Sequence, residues 1–129
     1  MLINYQIALH ISWLIDIILV SYRRLGSHSM ILALDIGNTN ITIGVYDDKK
    51  LLFVSRMATD ASRMEDQYAI ELRDILDIYG VSLQEIEGAV ISSVVPPLTT
   101  SIVRAIQRLS KVNPICVGSD TKTDIKIKI

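Results

Sequence analysis

The chain holds one cysteine, Cys116, and without a second thiol it can close no internal disulfide. No CxxC pair or Cys/His cluster offers metal-ligand spacing, and both histidines, His10 and His28, fall within the first 29 residues. A basic excess is missing too. Thirteen Lys and Arg stand against 14 Asp and Glu, a net charge of −1, whereas a nucleic-acid surface needs a basic stripe. No run of about 20 apolar residues is available to span a bilayer. The apolar stretch at residues 11–20 is interrupted by Asp16, which costs about 3 kcal/mol at the centre of a membrane helix. No Lys or Arg precedes Arg23, so there is no basic region to mark a signal peptide. What is present is half apolar and 21% charged, which excludes disorder and suits one soluble, cytoplasmic α/β domain within 129 residues.

Residues 1–29 differ from the rest. They carry three formal charges, Asp16, Arg23 and Arg24, and read as a leader outside the domain's fold, as if translation had been started upstream of Met30. The run Leu25-Gly26-Ser27-His28-Ser29 is linker-like, and Met30 opens a clean strand. A weaker alternative is a membrane anchor with Arg23 and Arg24 at its cytoplasmic end.

From Met30 to Ile36 the sequence is a continuous apolar run, the pattern of a strand buried on both faces. Residues 37–39 make a turn, residues 40–46 the returning strand, residues 47–50 a second turn and residues 51–57 a third strand, giving an antiparallel meander. A helix is predicted over 64–79, with Tyr68, Leu72, Ile75, Leu76 and Tyr79 at helical spacing and Gly80 ending it. Residues 88–95 form a strand that stops at Pro96-Pro97. A second helix follows with Leu98, Ile102, Val103, Ile106 and Leu109 inward, then a short strand at 115–117. The order βββ-α-β-α-β predicts a mixed sheet with crossover helices. The tail Ile125-Lys126-Ile127-Lys128-Ile129 alternates strictly, as a half-buried strand does. Nothing follows to cover its apolar face, so the chain is expected to be truncated within a larger architecture.

One motif carries chemistry. In Asp35-x-Gly37-Asn38-Thr39, at a strand end, Gly37 lets the backbone turn tightly and approach a ligand, and successive N–H groups can converge on an anion. Asn38 and Thr39 add side-chain donors. Asp35 would repel a phosphate unless Mg²⁺, which takes carboxylate and phosphate oxygens together, lies between them. The alternative is an ordinary hairpin turn, where Asp, Gly and Asn are favoured anyway. Ser92 and Ser93, at the end of the fourth strand, are candidates for lining a substrate cleft, since crevices form at strand ends in open α/β sheets. Cys116 reads as a buried structural thiol, and the sequon Asn40-Ile41-Thr42 as coincidence.

Asp35-Ile36-Gly37-Asn38-Thr39-Asn40 resembles the first phosphate motif of type III pantothenate kinases, members of the acetate kinase/sugar kinase/Hsp70/actin superfamily. Ile91-Ser92-Ser93-Val94-Val95-Pro96-Pro97-Leu98 is similar to a segment of that family in particular. Thr59-Asp60, Arg63, Asp66 and Tyr68 resemble its Thr-Asp…Arg-Thr-x-Asp-Glu-Tyr stretch. Val117-Gly118, Lys122-Thr123 and Ile125 fall where it has Val-Gly…Lys-Thr-Gly-Leu/Ile.

The resemblance covers residues 30–129 and implies a ribonuclease-H-like domain, the first half of an actin-like ATPase fold. By the same resemblance the protein phosphorylates pantothenate with ATP, the first step of coenzyme A synthesis, as a homodimer using Mg²⁺ and a monovalent cation, K⁺ or NH₄⁺. Asp35, Ile36, Gly37, Asn38, Thr39, Asn40, Ile41 and Thr42 would then occupy the ATP phosphate loop, with Asp35 toward Mg²⁺ through phosphate or water. Met64 and Gln67 replace the usual Thr and Glu of the family stretch, and Asp124 replaces a Gly. The family's catalytic Asp, in a Gly-x-Asp-Arg motif, is expected beyond Ile129, so this chain alone is expected to be inactive. The competing readings are a non-catalytic regulatory accessory protein of the same family and a fragment of another sugar-kinase-like ATPase.

Overall fold

A computed structural model of the chain describes residues 30–48, 50–118 and 125–127. The leader, the departure at Asp124 and the end of the tail lie outside them. Six strands form one sheet in the order β3-β2-β1-β4-β5-β6. They are β1 (Met30–Ile36), β2 (Asn40–Asp47), β3 (Lys50–Ala58), β4 (Ile86–Ser93), β5 (Ile115–Gly118) and β6 (Ile125–Ile127). The first three make the expected antiparallel meander, β1, β4 and β5 run parallel, and β6 returns antiparallel at the edge. The central position of β1 explains its apolar run from Met30 to Leu34, because both its faces are covered. Asp48 adopts φ 54° at the second turn, the left-handed conformation that Asp tolerates better than most residues.

Two helices provide the crossovers, α1 (Glu65–Ile78) and α2 (Pro96–Leu109). Both bury their apolar stripes in one core. Tyr68, Leu72 and Leu76 of α1 and Leu98, Ile102 and Ile106 of α2 meet Leu32, Leu34 and Ile36 of β1 and Ile41, Ile43 and Val45 of β2. Each fully buried Leu or Ile contributes about 1.5–3 kcal/mol of transfer free energy. Arg108, near the end of α2, pairs with Glu65 and Asp66 at the start of α1, both at 3.2 Å, which ties the two helices together. Alternate residues point to the sheet's other face, where Ile31, Ala33, Tyr46, Val90 and Val117 form a second cluster that draws on neither helix.

The helix ends follow local chemistry. Gly80, at φ +73°, ends α1 in a Schellman arrangement in which Val81 N–H donates to the Leu76 carbonyl (2.9 Å) and Gly80 N–H to that of Asp77 (3.1 Å). At the other end the N-cap is Met64. The family's Thr and Glu at positions 64 and 67 would form a reciprocal capping box. Here Gln67 keeps its half, accepting from Met64 N–H at 2.8 Å, while the Met64 side chain caps nothing and is 70% exposed. Met64→Thr is therefore expected to stabilise the fold by about 1 kcal/mol, read as a higher urea midpoint at unchanged slope.

β4 begins at Ile86, two residues earlier than its apolar pattern suggests. A 3-10 turn over Leu83–Glu85, capped by Ser82 and Glu85, delivers the chain directly into the sheet between β1 and β5. An irregularity in the β1–β4 register then absorbs Glu87, so that Met30 lies opposite Ile86 and Ile31 opposite Gly88.

Candidate functional site

Three ladders bring four polar residues into one row. Asp35 lies opposite Thr42 on β2 and Ser92 on β4, and Thr42 lies opposite Arg56 on β3. Strand parity places the row Arg56–Thr42–Asp35–Ser92 on the face away from the helices, at the C-terminal ends of β1 and β4. That is the end at which open α/β sheets form their crevices.

Above the row, the chain turns from β1 into β2. Gly37 N–H donates to the Asn40 carbonyl at 2.9 Å, closing the turn, and a Cβ at Gly37 would come within 3.2 Å of that same oxygen. Thr59, just beyond β3, buckles the turn from outside. Its hydroxyl donates to the Gly37 carbonyl (2.8 Å) and its N–H to the Thr39 carbonyl (2.9 Å). The carbonyls of Gly37, Thr39 and Asn40 are thereby engaged. Among the described residues the N–H groups of Asn38 and Thr39 have no such partner, and both residues are exposed. A turn whose acceptors are committed and whose donors face solvent is electrostatically suited to an anion.

Asp35, Gly37, Asn38, Thr39, Asn40, Thr42 and Arg56 line an open concavity of about 270 Å³. Six of these seven belong to the sequence motif and its continuation. Arg56 was not singled out there, because on an exposed strand it looks like any solvated arginine and only the β2–β3 register reveals it. Ile36 and Ile41, which flank the turn, point the other way and are fully buried in the main core. Two larger hollows, of about 470 and 430 Å³, lie at the opposite end of the sheet around Gly80–Gln84 and Leu109–Val112 and are lined mostly by apolar surface.

The two serines separate. Ser92 is buried in the polar row, whereas Ser93 Oγ accepts from Val95 N–H at 3.0 Å and shapes the passage into α2. Val94 N–H donates to the Ile36 carbonyl at 3.0 Å and ties that passage to the end of β1. Among the described residues no cluster of three or more His, Cys, Asp or Glu could hold a metal unaided. A carboxylate such as that of Asp35, beside a turn suited to an anion, is the kind of ligand Mg²⁺ uses, one or two protein carboxylates serving together with substrate phosphates.

Behind Thr59 the support continues into α1. The Tyr68 hydroxyl donates to the Asp60 carbonyl (2.6 Å) and accepts from Asp60 N–H (3.1 Å). Donation from the Ser62 hydroxyl and N–H to Asp60 Oδ1 holds that carboxyl below the usual carboxylate range. Arg63 pairs with Glu71 and lies over the Tyr68 ring, 5.8 Å from its centre.

The family model described as type III pantothenate kinase matches residues 31–129. The type III pantothenate kinase of Halalkalibacterium halodurans is 42% identical over 99 residues, which are 77% of this chain and 39% of that protein. The chain thus spans about two-fifths of that curated relative's length. Among solved structures, a Bacteroides thetaiotaomicron protein of actin-like ATPase fold and unknown function aligns at TM-score 0.54 and 10% identity, over 81% of this chain and 37% of its own. The ROK hexokinase of Thermus thermophilus aligns at TM-score 0.51 and 20% identity, over 69% of this chain and 33% of its own. At these identities the likeness establishes the fold: the ribonuclease-H-like, actin-like ATPase architecture.

Proposed function

The chain belongs to the type III pantothenate kinase family, and from that membership we propose that its protein transfers the terminal phosphoryl group of ATP to the hydroxyl of pantothenate, the first step of coenzyme A synthesis. The observation that carries the reading is the turn at residues 37–39, with its acceptors engaged by Gly37 and Thr59 and its donors open, set over Asp35 in the polar row. Phosphoryl transfer needs little covalent work from the protein. It needs the phosphates held in line and their charge neutralised.

In this reading the N–H groups of Asn38 and Thr39 hold phosphate oxygens, and Gly37 keeps the backbone close enough for them to do so. Ile36 and Ile41 anchor the two ends of the loop in the core, and Thr42 and Ser92 extend the polar floor on either side of Asp35. Magnesium, when bound, neutralises phosphate charge on the Asp35 side. K⁺ or NH₄⁺, a homodimer and a cytoplasmic location complete the proposal by resemblance to the family. Residues 30–129 would be the phosphate-binding half of the kinase.

The test is ADP release by the intact protein with ATP, Mg²⁺ and K⁺, with and without pantothenate. Release that depends on pantothenate and leaves phosphate on its hydroxyl supports the proposal. Tight nucleotide binding with pantothenate inert, and another alcohol phosphorylated instead, would replace it with a different kinase specificity.

Thr59 is expected to act as a positioning residue. Thr59→Val removes the hydroxyl donated to Gly37 and keeps the N–H to Thr39, so ATP should bind about threefold to tenfold more weakly. Thr59→Ser, which retains the hydroxyl, should stay close to the parent. Isothermal titration with Mg-ATP checks both.

A further inference from the structure

We propose that Arg56 is the guanidinium that grips the phosphate chain of the nucleotide from the β3 side of the site. The assignment rests on the phosphate reading above and adds to it a residue outside the motif. Arg56 lines the same concavity as the turn and is the one cation among its described lining residues. Arg63, Arg73 and Arg108 each sit with a carboxylate, Arg63 with Glu71, Arg73 with Asp74, and Arg108 with Glu65 and Asp66. Arg56, like Arg104 on α2, pairs with no carboxylate among the described residues, although Asp35 stands in its own row.

The spacing gives a reason. Neighbouring strands lie about 4.8 Å apart, so Arg56 and Asp35, separated by the single strand β2, stand about 10 Å apart at their Cα atoms. Thr42 lies between them and contributes only a small hydroxyl to the floor. A polyphosphate lying over Thr42 would meet a guanidinium on one side and a carboxylate with its magnesium on the other. The two opposite charges would then flank the ligand instead of neutralising each other. The planar fork of arginine suits two phosphate oxygens at once, which lysine's single ammonium matches less well. A carboxylate ligand is the competing occupant for such a cation. The phosphate is favoured because Asn38 and Thr39, whose N–H groups are unengaged among the described residues, line the same hollow.

The test compares the intact parent protein with Arg56→Gln and Arg56→Lys, titrated with Mg-ATP, with Mg-tripolyphosphate and with pantothenate. Arg56 is exposed on β3, so all three proteins should melt together. Arg56→Gln should weaken both phosphate probes by about 10- to 100-fold, leave pantothenate unchanged and flatten the salt dependence of ATP binding. Arg56→Lys should recover part of the loss. Unchanged ATP and tripolyphosphate affinity in Arg56→Gln would overturn the assignment while leaving the phosphate site standing. Weakened pantothenate binding with ATP unaffected would overturn it in favour of a carboxylate contact. A parent that binds neither ATP nor tripolyphosphate would overturn both the assignment and the reading on which it rests.

Discussion

In the intact protein, Asp35→Asn is expected to keep the fold and lose about 10²–10³ of the turnover with Mg-ATP. The replacement conserves shape in a half-buried side chain between Thr42 and Ser92, so packing changes little. What it removes is a fixed negative charge. In the proposed site that charge is useful only through a cation shared with the phosphates, and loss of one preorganised electrostatic contact of this kind typically costs about 3–4 kcal/mol.

The sign of the effect without magnesium makes the prediction specific. Asp35 next to a bare polyphosphate is repulsive by about 1 kcal/mol in a solvated cleft. In EDTA the Asn variant should therefore bind ATP several-fold more tightly than the parent, and in Mg²⁺ more weakly. Titrations of both proteins with ATP, with and without the metal, would show the two curves exchanging order. A variant weaker under both conditions would mean that Asp35 supports the turn mechanically, and a variant stronger under both would remove the metal from its neighbourhood.

That Asp35 could be singled out from sequence, and Arg56 could not, reflects where the information lies. The turn motif is local: Asp35, Gly37, Asn38 and Thr39 are within five positions, and residue types that demand a tight backbone and many donors announce themselves there. The element order was legible for a similar reason. Runs such as residues 30–34, apolar on both faces, and stripes such as Leu98, Ile102 and Ile106 record their burial directly in their periodicity.

Register is not local. Arg56 joins Asp35 only because two successive ladders align, and one residue of slip would send it to the other face. The irregularity at Val45/Tyr46 lies in that ladder and has no signature of its own in the sequence. Ser92 and Ser93 show the same limit at single-residue scale. Chemically identical neighbours have different tasks because a strand alternates its faces. The early start of β4 was hidden because Glu87, a charged residue within the ladder, interrupts the apolar pattern and is accommodated by a bulge. Met64 and Gln67, two departures from the family pattern, acquire a physical meaning only once Met64 is seen at the helix cap.

The other large effect is expected at Tyr68, where the core meets the site. Its ring is fully buried on α1 among Leu72, Leu76 and the inward residues of β1 and β2, and its hydroxyl satisfies both peptide groups of Asp60. Tyr68→Ala should destabilise the fold by about 3–5 kcal/mol, the usual range for truncating a buried aromatic. Against a total of about 5–15 kcal/mol for a domain, that leaves the chain close to unfolding.

Tyr68→Phe is the more informative variant, because it keeps the ring and strands the Asp60 peptide. It should cost about 1–2 kcal/mol in urea unfolding, since Asp60 is partly open to water. Asp60 follows Thr59, and Thr59 holds the Gly37 and Thr39 carbonyls. Loosening the one should therefore weaken ATP binding several-fold without touching any residue of the concavity. Equal ATP affinity in Tyr68→Phe and the parent, at the lowered stability, would show that the turn holds its shape without α1. A shared loss would make the path from Tyr68 through Asp60 and Thr59 the mechanical support of the phosphate site.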